Sequence, residues 1–368
     1  MARLLREMGH DVSVCLQTGQ SAYDSWKSSG KVWQELKWFD VAGKSGAWPQ
    51  LKSTFDAVLL AMSPVIGANS EIGALMMAHE DGVPAFGVSD FPGSLRNPGW
   101  RDYVRHLTTL FSPMPEPNFP GKCVVSGWGA LEKWRNKDVG AMAYATRLKL
   151  GIGHEPVLYV FFSPERESPL ALEHLAILIR EVDIDGITIV VNRHGREKST
   201  PVDGNARRFR VALCLLGENN RVFDNSPEYS EFLSLDERSI LPQFRPDEFL
   251  EYQEALTLAR GNGVALTMFG TDGLLAPYLA SSGILSVCWL DPVYGGAVLK
   301  REKQVERLDL PILWQPTNDL DLLTCIDSGL RGRSDAREKQ IELLEQQYPF
   351  PKSSAPQIIV DEILRQLG

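Results

Sequence analysis

The residues of this sequence best suited to holding an anion are Gly270, Thr271, Asp272 and Gly273. They follow a short apolar run at residues 264–268 and precede apolar residues at helical spacing, so they predict a turn between a strand and a helix. The backbone N–H groups of such a turn bind phosphates at the carboxyl edge of a sheet, and Gly273 allows close approach. We expect Asp272 to cap the helix, because its charge would repel a phosphate. The alternative is a βαβ unit without a ligand.

Two arginines are candidates for pairing with the same anion. Arg166 follows a strand predicted at residues 156–162, and Arg193 follows one predicted at residues 187–191. A guanidinium group binds phosphate oxygens through parallel hydrogen bonds and stabilises a departing diphosphate. We prefer Arg166 for this role, and the alternative for Arg193 is a solvated loop.

Asp90 is the candidate for acid–base chemistry. It follows the strand predicted at residues 83–88, which places it at the carboxyl end of that strand. A carboxylate there would act as a general base that removes a proton from an attacking group. The alternative is a turn residue ahead of Phe91, Pro92 and Gly93.

Composition excludes several other kinds of chemistry. The net charge of −9 argues against a nucleic-acid-binding surface over the whole protein. The six histidines lack metal-binding spacing and no two cysteines are spaced as zinc ligands, so we expect no protein-bound metal. We find no leader pattern and no apolar run near the ~20 residues that cross a bilayer. The widely spaced cysteines indicate a reducing compartment, so we expect a cytoplasmic protein: Cys15, Cys123, Cys214, Cys288 and Cys325.

The candidates are carried by alternating strands and helices that fall into two halves. A chain of 368 residues is too long for one ordinary core. We therefore predict a domain at residues 1–145, a second at residues 146–350, and a helix at 351–368 that packs back toward the first domain. The expected fold class is α/β, with two Rossmann-like, doubly wound domains facing a cleft.

The first domain is predicted to begin in the middle of a structural unit. Residues 2–11 predict a helix ending at Gly9, and residues 12–16 predict a strand. A helix that leads into a parallel strand normally follows another strand. We therefore expect that a first strand and its loop are missing from this sequence, through a truncated gene model or an alternative start.

A tryptophan-rich stretch follows this strand and contains Trp26, Trp33, Trp38 and Trp48. We expect these side chains to pack a long excursion against the domain. The alternative is an aromatic wall of a binding site, because aromatic faces stack on sugars and bases.

Several segments, in this order, resemble the two-domain GT-B glycosyltransferase superfamily, and most of all its UDP-N-acetylglucosamine 2-epimerase branch. Individually the motifs are degenerate, and their order and spacing carry the resemblance. The matching segments are residues 4–12 (L-x-x-x-G-H-x-V), residues 55–88 with Gly82-Val83-Pro84 (G-[IV]-P), residues 122–127 (v-x-G-N), Arg166-Glu167 (H-R-R-E-N), and residues 263–292 (D-S-G-G…E-E-A…G-x-P).

The departures from the epimerase pattern argue against epimerase activity. Pro164 stands where the family has the histidine of H-R-R-E-N, and Met62-Ser63-Pro64 replaces its Gly-Asp-Thr. Pro277 and Tyr278 replace the paired glutamates, one of which commonly holds the nucleotide ribose. Epimerisation needs positioned carboxylates and bases, and these positions lack them. Compared instead with the heptosyltransferase signature D-[TS]-G-P-x-H-x-A, Asp272 matches the aspartate, but the proline and the histidine do not reappear, so no subfamily is assigned.

The resemblance implies a GT-B glycosyltransferase that moves a sugar from a nucleotide-diphosphate donor to an unknown acceptor, with no cofactor besides that substrate. The first domain would take the acceptor, a glycan, lipid or small molecule, and its apolar surface leaves peripheral membrane contact open. The second domain would bind the donor, with Asp272 available for a sugar hydroxyl. Two alternatives remain: a nucleotide-sugar 2-epimerase or hydrolase of this fold, and a non-catalytic GT-B-like binding protein.

Overall fold

The structure is a computed structural model, and it describes residues 1–16, 37–40, 54–62, 69–89, 100, 102–116, 118–127, 129–132, 134–161, 168–182, 184–192, 204–225, 250, 252–260, 262–267, 284–288, 316, 318–332, 339, 342, 346 and 351–368. The chain divides into two compact units. One comprises Met1–Lys133 together with Tyr348–Gly368, and the other comprises Trp134–Gln347. The domain boundaries predicted from the sequence, at 145/146 and 350/351, stay a prediction beside this division.

The first unit opens with helix α1 (Ala2–Glu7), strand β1 (Ser13–Leu16) and strand β2 (Lys37–Asp40). The two strands pair in parallel, with Ser13 opposite Lys37. Strand β2 lies inside the tryptophan-rich stretch and was not predicted, because the aromatic spacing there indicates no strand period.

In the part of this unit that the structure describes, four further parallel strands form the main sheet, in the order β3-β4-β5-β6. In the described part of the chain, helices α2 and α3 and a short 3-10 helix at Val104–His106 are neighbours of these strands along the sequence. The elements are β3 (Val58–Met62), α2 (Asn69–Asp81), β4 (Ala85–Ser89), β5 (Thr109–Ser112), β6 (Lys122–Val125) and α3 (Gly129–Glu132).

Strand β4 shows why these residues form a buried sheet. Ala85, Phe86 and Gly87 are buried, as expected for an inner parallel strand covered on both faces. Gly87 is required for packing: a Cβ atom there would lie 2.5 Å from Met62 Sδ and 2.9 Å from a methyl carbon of Leu107. The close approach of these two side chains fills the space that a larger residue would need.

Among the described residues of the second unit, five parallel strands form one sheet in the order β11-β10-β7-β8-β9. The chain runs outward from β7 to β9 and then returns to the other side of β7, so the direction of strand addition reverses between β7 and β10. The elements are α4 (Val139–Lys149), β7 (Val157–Phe161), α5 (Ser168–Glu181), β8 (Thr188–Asn192), α6 (Gly204–Gly217), β9 (Arg221–Asp224), α7 (Tyr252–Thr257), β10 (Gly263–Thr267), β11 (Ile284–Cys288) and α8 (Asp319–Leu330).

The central strand β7 is buried on both faces. Leu158 and Val160 pack into one core with apolar residues of α5, α6 and α8, whereas the fully buried Tyr159 lies outside that core. Alternating side chains point to opposite faces of a strand, so the two sets belong to two layers of helices. Helix α7 contacts β8 and α4, and its Ala255 is fully buried outside the same core.

The chain ends in helix α9 (Ala355–Leu367), which belongs to the first unit. The Ser354 hydroxyl accepts a hydrogen bond from the Gln357 N–H and caps the helix. Ile359 and Ile363 pack against Phe86 of β4 and Phe111 of β5, whose rings stack 6.2 Å apart. The helix therefore covers one face of the main sheet of the first unit, β3-β4-β5-β6, which is called the first sheet below.

The predicted fold class is confirmed at the level of its architecture. Each unit carries a parallel sheet with helices, as expected of Rossmann-like α/β domains. Among the described residues, every helix is too short or too polar to cross a membrane.

Candidate functional site

The seven site residues predicted from the sequence lie outside the described residues, so their roles stay predictions. What the structure does describe is the end of the strand that precedes each of them along the chain. These strand ends are Ser89 before Asp90, Phe161 before Arg166, Asn192 before Arg193, and Thr267 before Gly270, Thr271, Asp272 and Gly273.

Three of these strand ends lie in one row at the carboxyl edge of the sheet of the second unit, called the second sheet below. Phe161 is the register partner of both Thr267 and Asn192, and Thr267 is in turn the partner of Cys288. The segments that carry the predicted diphosphate-binding residues therefore leave the sheet from adjacent positions. The gap between Phe161 and Thr267 is also the point where strand order reverses, which is where open α/β sheets bind their ligands.

Polar side chains are buried at this same edge. Asn192, which ends β8, is 3% exposed, and Asn225, which follows β9, is 6% exposed. The Asn225 amide nitrogen donates to Asn192 Oδ1 at 2.7 Å and to the Leu250 carbonyl at 2.9 Å. The Leu250 N–H donates to Asn225 Oδ1 at 3.0 Å. Buried amides are costly unless hydrogen-bonded, so this network holds two strand ends and residue 250 together.

This network was missed in the sequence, although a signal was present. Asn192 directly follows the apolar run 189–191, and the pair Asp224 and Asn225 follows Val222 and Phe223. Asp224 is also buried, with 8% exposure. A polar residue that ends a fully apolar strand marks a strand end at which the fold keeps polar groups inside.

At the amino edge of the second sheet, side chains form hydrogen bonds with backbone groups. Arg147 donates to the carbonyl oxygens of Gly153, Glu155 and Leu258 at 2.6–3.1 Å. Burial lowers the pKa of Arg147, with the nearby Glu155 carboxylate acting in the opposite direction. Asn220 also binds backbone at this edge. It accepts from the Ile187 N–H at 3.2 Å and donates to the Ile184 carbonyl at 3.1 Å.

Three serines lie at the carboxyl edge of the main sheet of the first unit, two at strand ends and one directly after a strand. Ser89 and Ser112 end β4 and β5, and Ser126 directly follows β6; all three are buried. The Ser126 N–H donates to the Ser112 carbonyl at 2.9 Å, and its hydroxyl donates to the Gly127 carbonyl at 3.3 Å. Asp90 comes directly after Ser89, so the predicted general base follows a strand end on the edge that Rossmann-like sheets use for ligands.

Two cysteines of the described residues, Cys123 and Cys325, are not activated as nucleophiles. Burial raises the pKa of the Cys123 thiol, and burial together with the Asp321 carboxylate raises the pKa of Cys325 to about 12. Both thiols stay protonated at neutral pH, and a protonated thiol is a poor nucleophile. Among the described residues no group of three or more His, Cys, Asp or Glu is placed to hold a metal ion.

Comparison with known proteins gives similarity at the level of structure alone. No family model and no curated protein matches the sequence. The UDP-GlcNAc 2-epimerase from Neisseria meningitidis bound to UDP-GlcNAc is 12% identical, with a TM-score of 0.55 over 99% of this chain and 96% of that one. Arabidopsis thaliana UGT89C1 complexed with UDP is 11% identical, with a TM-score of 0.51 over 100% and 94%. A glycosyltransferase from Rickettsia africae ESF-5 is 9% identical, with a TM-score of 0.52 over 100% and 92%.

Each unit carries a sheet of parallel strands with helices, and this architecture and the similarities above together define the fold class of the molecule. The likenesses extend over nearly the whole of each chain, including both halves. The protein has the GT-B fold, as the sequence resemblance predicts. At 9–12% identity the likeness shows the fold and leaves the activity to be tested.

Proposed function

We propose that the protein is a GT-B glycosyltransferase that moves a sugar from a nucleotide-diphosphate donor to an acceptor. One observation carries the proposal: the second sheet reverses its strand order between β7 and β10, and these strands end in register at Phe161 and Thr267. The segments with Arg166 and with Gly270–Gly273 begin just beyond those two ends. Open α/β sheets bind ligands in the crevice outside such a reversal.

The proposed roles follow from the chemistry of a leaving diphosphate. Backbone N–H groups of residues 270–273 hold the phosphates, and Arg166 or Arg193 neutralises the charge that develops as the sugar departs. Asp272 caps the following helix or binds a sugar hydroxyl. Asp90 removes the proton from the acceptor hydroxyl. No protein-bound metal takes part in this scheme.

The same proposal assigns tasks to the two halves of the chain. Residues 146–350 bind the donor and residues 1–145 bind the acceptor, which is a glycan, a lipid or a small molecule. The protein acts in the cytoplasm, with peripheral membrane contact if the acceptor is a lipid. Solved relatives of the fold were found with UDP-GlcNAc and with UDP, which makes uridine nucleotides the first donors to test.

The test compares UDP-, GDP-, ADP- and CDP-sugars by thermal shift and by calorimetric titration. We expect one of them to stabilise the protein, and Gly273→Asp to raise its Kd at least tenfold (about 1.4 kcal/mol), because the new carboxylate faces the diphosphate. Gly217→Asp is the matched control. It adds the same charge in the same unit at the end of α6, where an added Cβ would meet only Val222 at 3.9 Å, and we expect it to leave the Kd unchanged.

Product analysis then separates the enzyme activities. Release of nucleoside diphosphate supports transfer or hydrolysis, and solvent proton exchange at the sugar C2 position would support the epimerase alternative instead. Binding with neither reaction would support a non-catalytic protein. The proposal fails if no nucleotide-sugar stabilises the wild-type protein.

A further inference from the structure

We infer that Asn225 is a positioning residue of the donor site: it fixes the end of strand β8, and hence the start of the segment that begins with Arg193. This inference rests on the proposed function, because it concerns the same carboxyl edge. Asn225 follows β9, and the end of β8 that it holds is next to Phe161, which borders the strand reversal.

The backbone of residue 250 determines how the Asn225 amide is oriented. The Leu250 N–H is a donor, so it requires the oxygen of the Asn225 side chain on its side, 3.0 Å away. The amide nitrogen of Asn225 then faces two acceptors, the Leu250 carbonyl and Asn192 Oδ1. An amide has one acceptor and one donor end, and in this orientation each end meets the opposite kind of group.

The orientation of the Asn225 amide also determines that of the Asn192 amide. Because Asn225 presents its donor, Asn192 must present its oxygen, at 2.7 Å. Asn225 is also tied to β8 through its own backbone, since its N–H donates to the Val191 carbonyl at 2.9 Å. The last two residues of β8 are thus held by two hydrogen bonds from Asn225, and Arg193 is the next residue in the chain.

Asn220 provides an internal comparison at the opposite edge of the same sheet. Asn220 and Asn225 flank strand β9, and each side chain binds one backbone N–H and one backbone carbonyl of a distant segment. Asn220 does so at the amino edge, away from the strand ends that precede the proposed donor residues. Its side chain therefore has the same structural task as Asn225 without the proposed link to a ligand.

The experiment measures UDP binding by calorimetry for Asn225→Asp and Asn220→Asp at pH 8, below the unfolding temperature of each variant. In each variant a carboxylate oxygen replaces the amide nitrogen and faces a carbonyl, so both lose thermal stability. We expect Asn225→Asp to raise the Kd for UDP about tenfold, and Asn220→Asp to leave it within about twofold.

A pH profile adds a second readout. On acidification the carboxyl group of Asn225→Asp takes up a proton, and its single O–H can donate to one of the two acceptors. Part of the loss in UDP affinity relative to the wild type at the same pH should therefore recover at pH 5.5. Asn220→Asp should show no such recovery in binding. If Asn225→Asp does not fold, Asn192→Ala serves instead, because it removes the acceptor of the Asn225–Asn192 bond and keeps the Asn225 side chain that binds Leu250, and the same loss of UDP affinity is expected.

The outcomes separate this inference from the function on which it rests. Equal Kd values for UDP in wild type, Asn225→Asp and Asn192→Ala would overturn the positioning role and leave the donor site standing. Equal losses in Asn225→Asp and Asn220→Asp would overturn it as well, because a general loss of stability would then explain both. A wild-type protein that binds no nucleotide would overturn the inference and the proposed function together.

Discussion

Glu362, on the terminal helix α9, joins that helix to the first sheet. Its carboxylate accepts hydrogen bonds from Lys122 at 2.6 Å, from Arg365 at 2.8 and 3.0 Å, and from Gln366, which also donates to the Thr109 hydroxyl. The side chain is 12% exposed, so water screens these contacts less than it screens surface pairs. The contacts with Arg365, then those with Lys122 and Gln366, lower the pKa of Glu362 to about 2.

The lowered pKa predicts how stability depends on pH. The folded value lies below the ordinary value of 4.5, so the stabilisation is fully present above pH 4.5 and is lost as the pH falls toward about 2. We expect Glu362→Gln to cost about 2 kcal/mol of unfolding free energy at pH 7, and this difference to shrink between pH 4.5 and 2. Denaturant titrations across that range measure it.

Glu7→Gln is the control for this prediction. Glu7 pairs with Arg3 at 3.3 Å in α1, but 60% of its side chain is exposed. Such pairs contribute little, so the substitution should change the unfolding free energy by less than ~0.5 kcal/mol at any pH. An equal change in unfolding free energy for both substitutions would show that the Glu362 contacts contribute no more than an exposed ion pair.

At the scale of elements, the sequence predicts where strands lie better than which strands pair with each other. The apolar runs predicted as strands at residues 83–88, 156–162, 187–191 and 264–268 overlap β4, β7, β8 and β10. Helix α6 was not predicted, because its first half, residues 204–210, carries three arginines and so lacks a clear apolar stripe in the sequence. In its second half, Ala212, Leu213 and Leu216 are buried.

The candidate site divides in the same way. Turn chemistry and the charges after apolar runs can be read from local sequence, which is how Asp90, Arg166, Arg193 and Gly270–Gly273 were proposed. Strand order and register cannot be read locally, because they depend on pairing between residues far apart in the chain. The row of Phe161, Asn192 and Thr267, and the contact of Asn225 with Leu250, were therefore visible only in the structure.

Helix α9 provides the prediction for this scale. Ile359 is 3% exposed and packs against Phe86 and Phe111, so Ile359→Ala should lower the unfolding free energy by about 3 kcal/mol through lost burial and a cavity. Leu367, in the same helix, is 40% exposed, and Leu367→Ala should cost under ~1 kcal/mol. Denaturant unfolding of both variants measures the difference, and similar costs would contradict the packing of this helix.

At the scale of the whole molecule, the first unit depends on both ends of the chain. Lys122 and Glu362 are 240 positions apart, yet they lie 2.6 Å from each other within one compact unit. The second unit is continuous in sequence, from Trp134 to Gln347. Shortening the chain at its carboxyl end should therefore affect the sheet near its amino end.

Deletion of residues 352–368 tests this dependence. We expect faster amide hydrogen exchange in β4 and β5, which lose the cover of α9, and unchanged exchange in β7 and β8 of the second unit. Deletion of residues 2–7 is the control, because α1 buries no residue and should matter less. Faster exchange in the second unit, or none in the first, would contradict the division into these units.

The placement of α9 also bears on the order in which the protein folds during its synthesis. The ribosome completes every residue of the second unit before it makes the helix that covers Phe86 and Phe111. Nascent chains generally fold their amino-terminal domain first, but here the amino-terminal sheet receives the layer formed by α9 only after the second unit has been translated. Until then an apolar face stays open on the growing chain, and a nascent-chain chaperone would find its binding surface there.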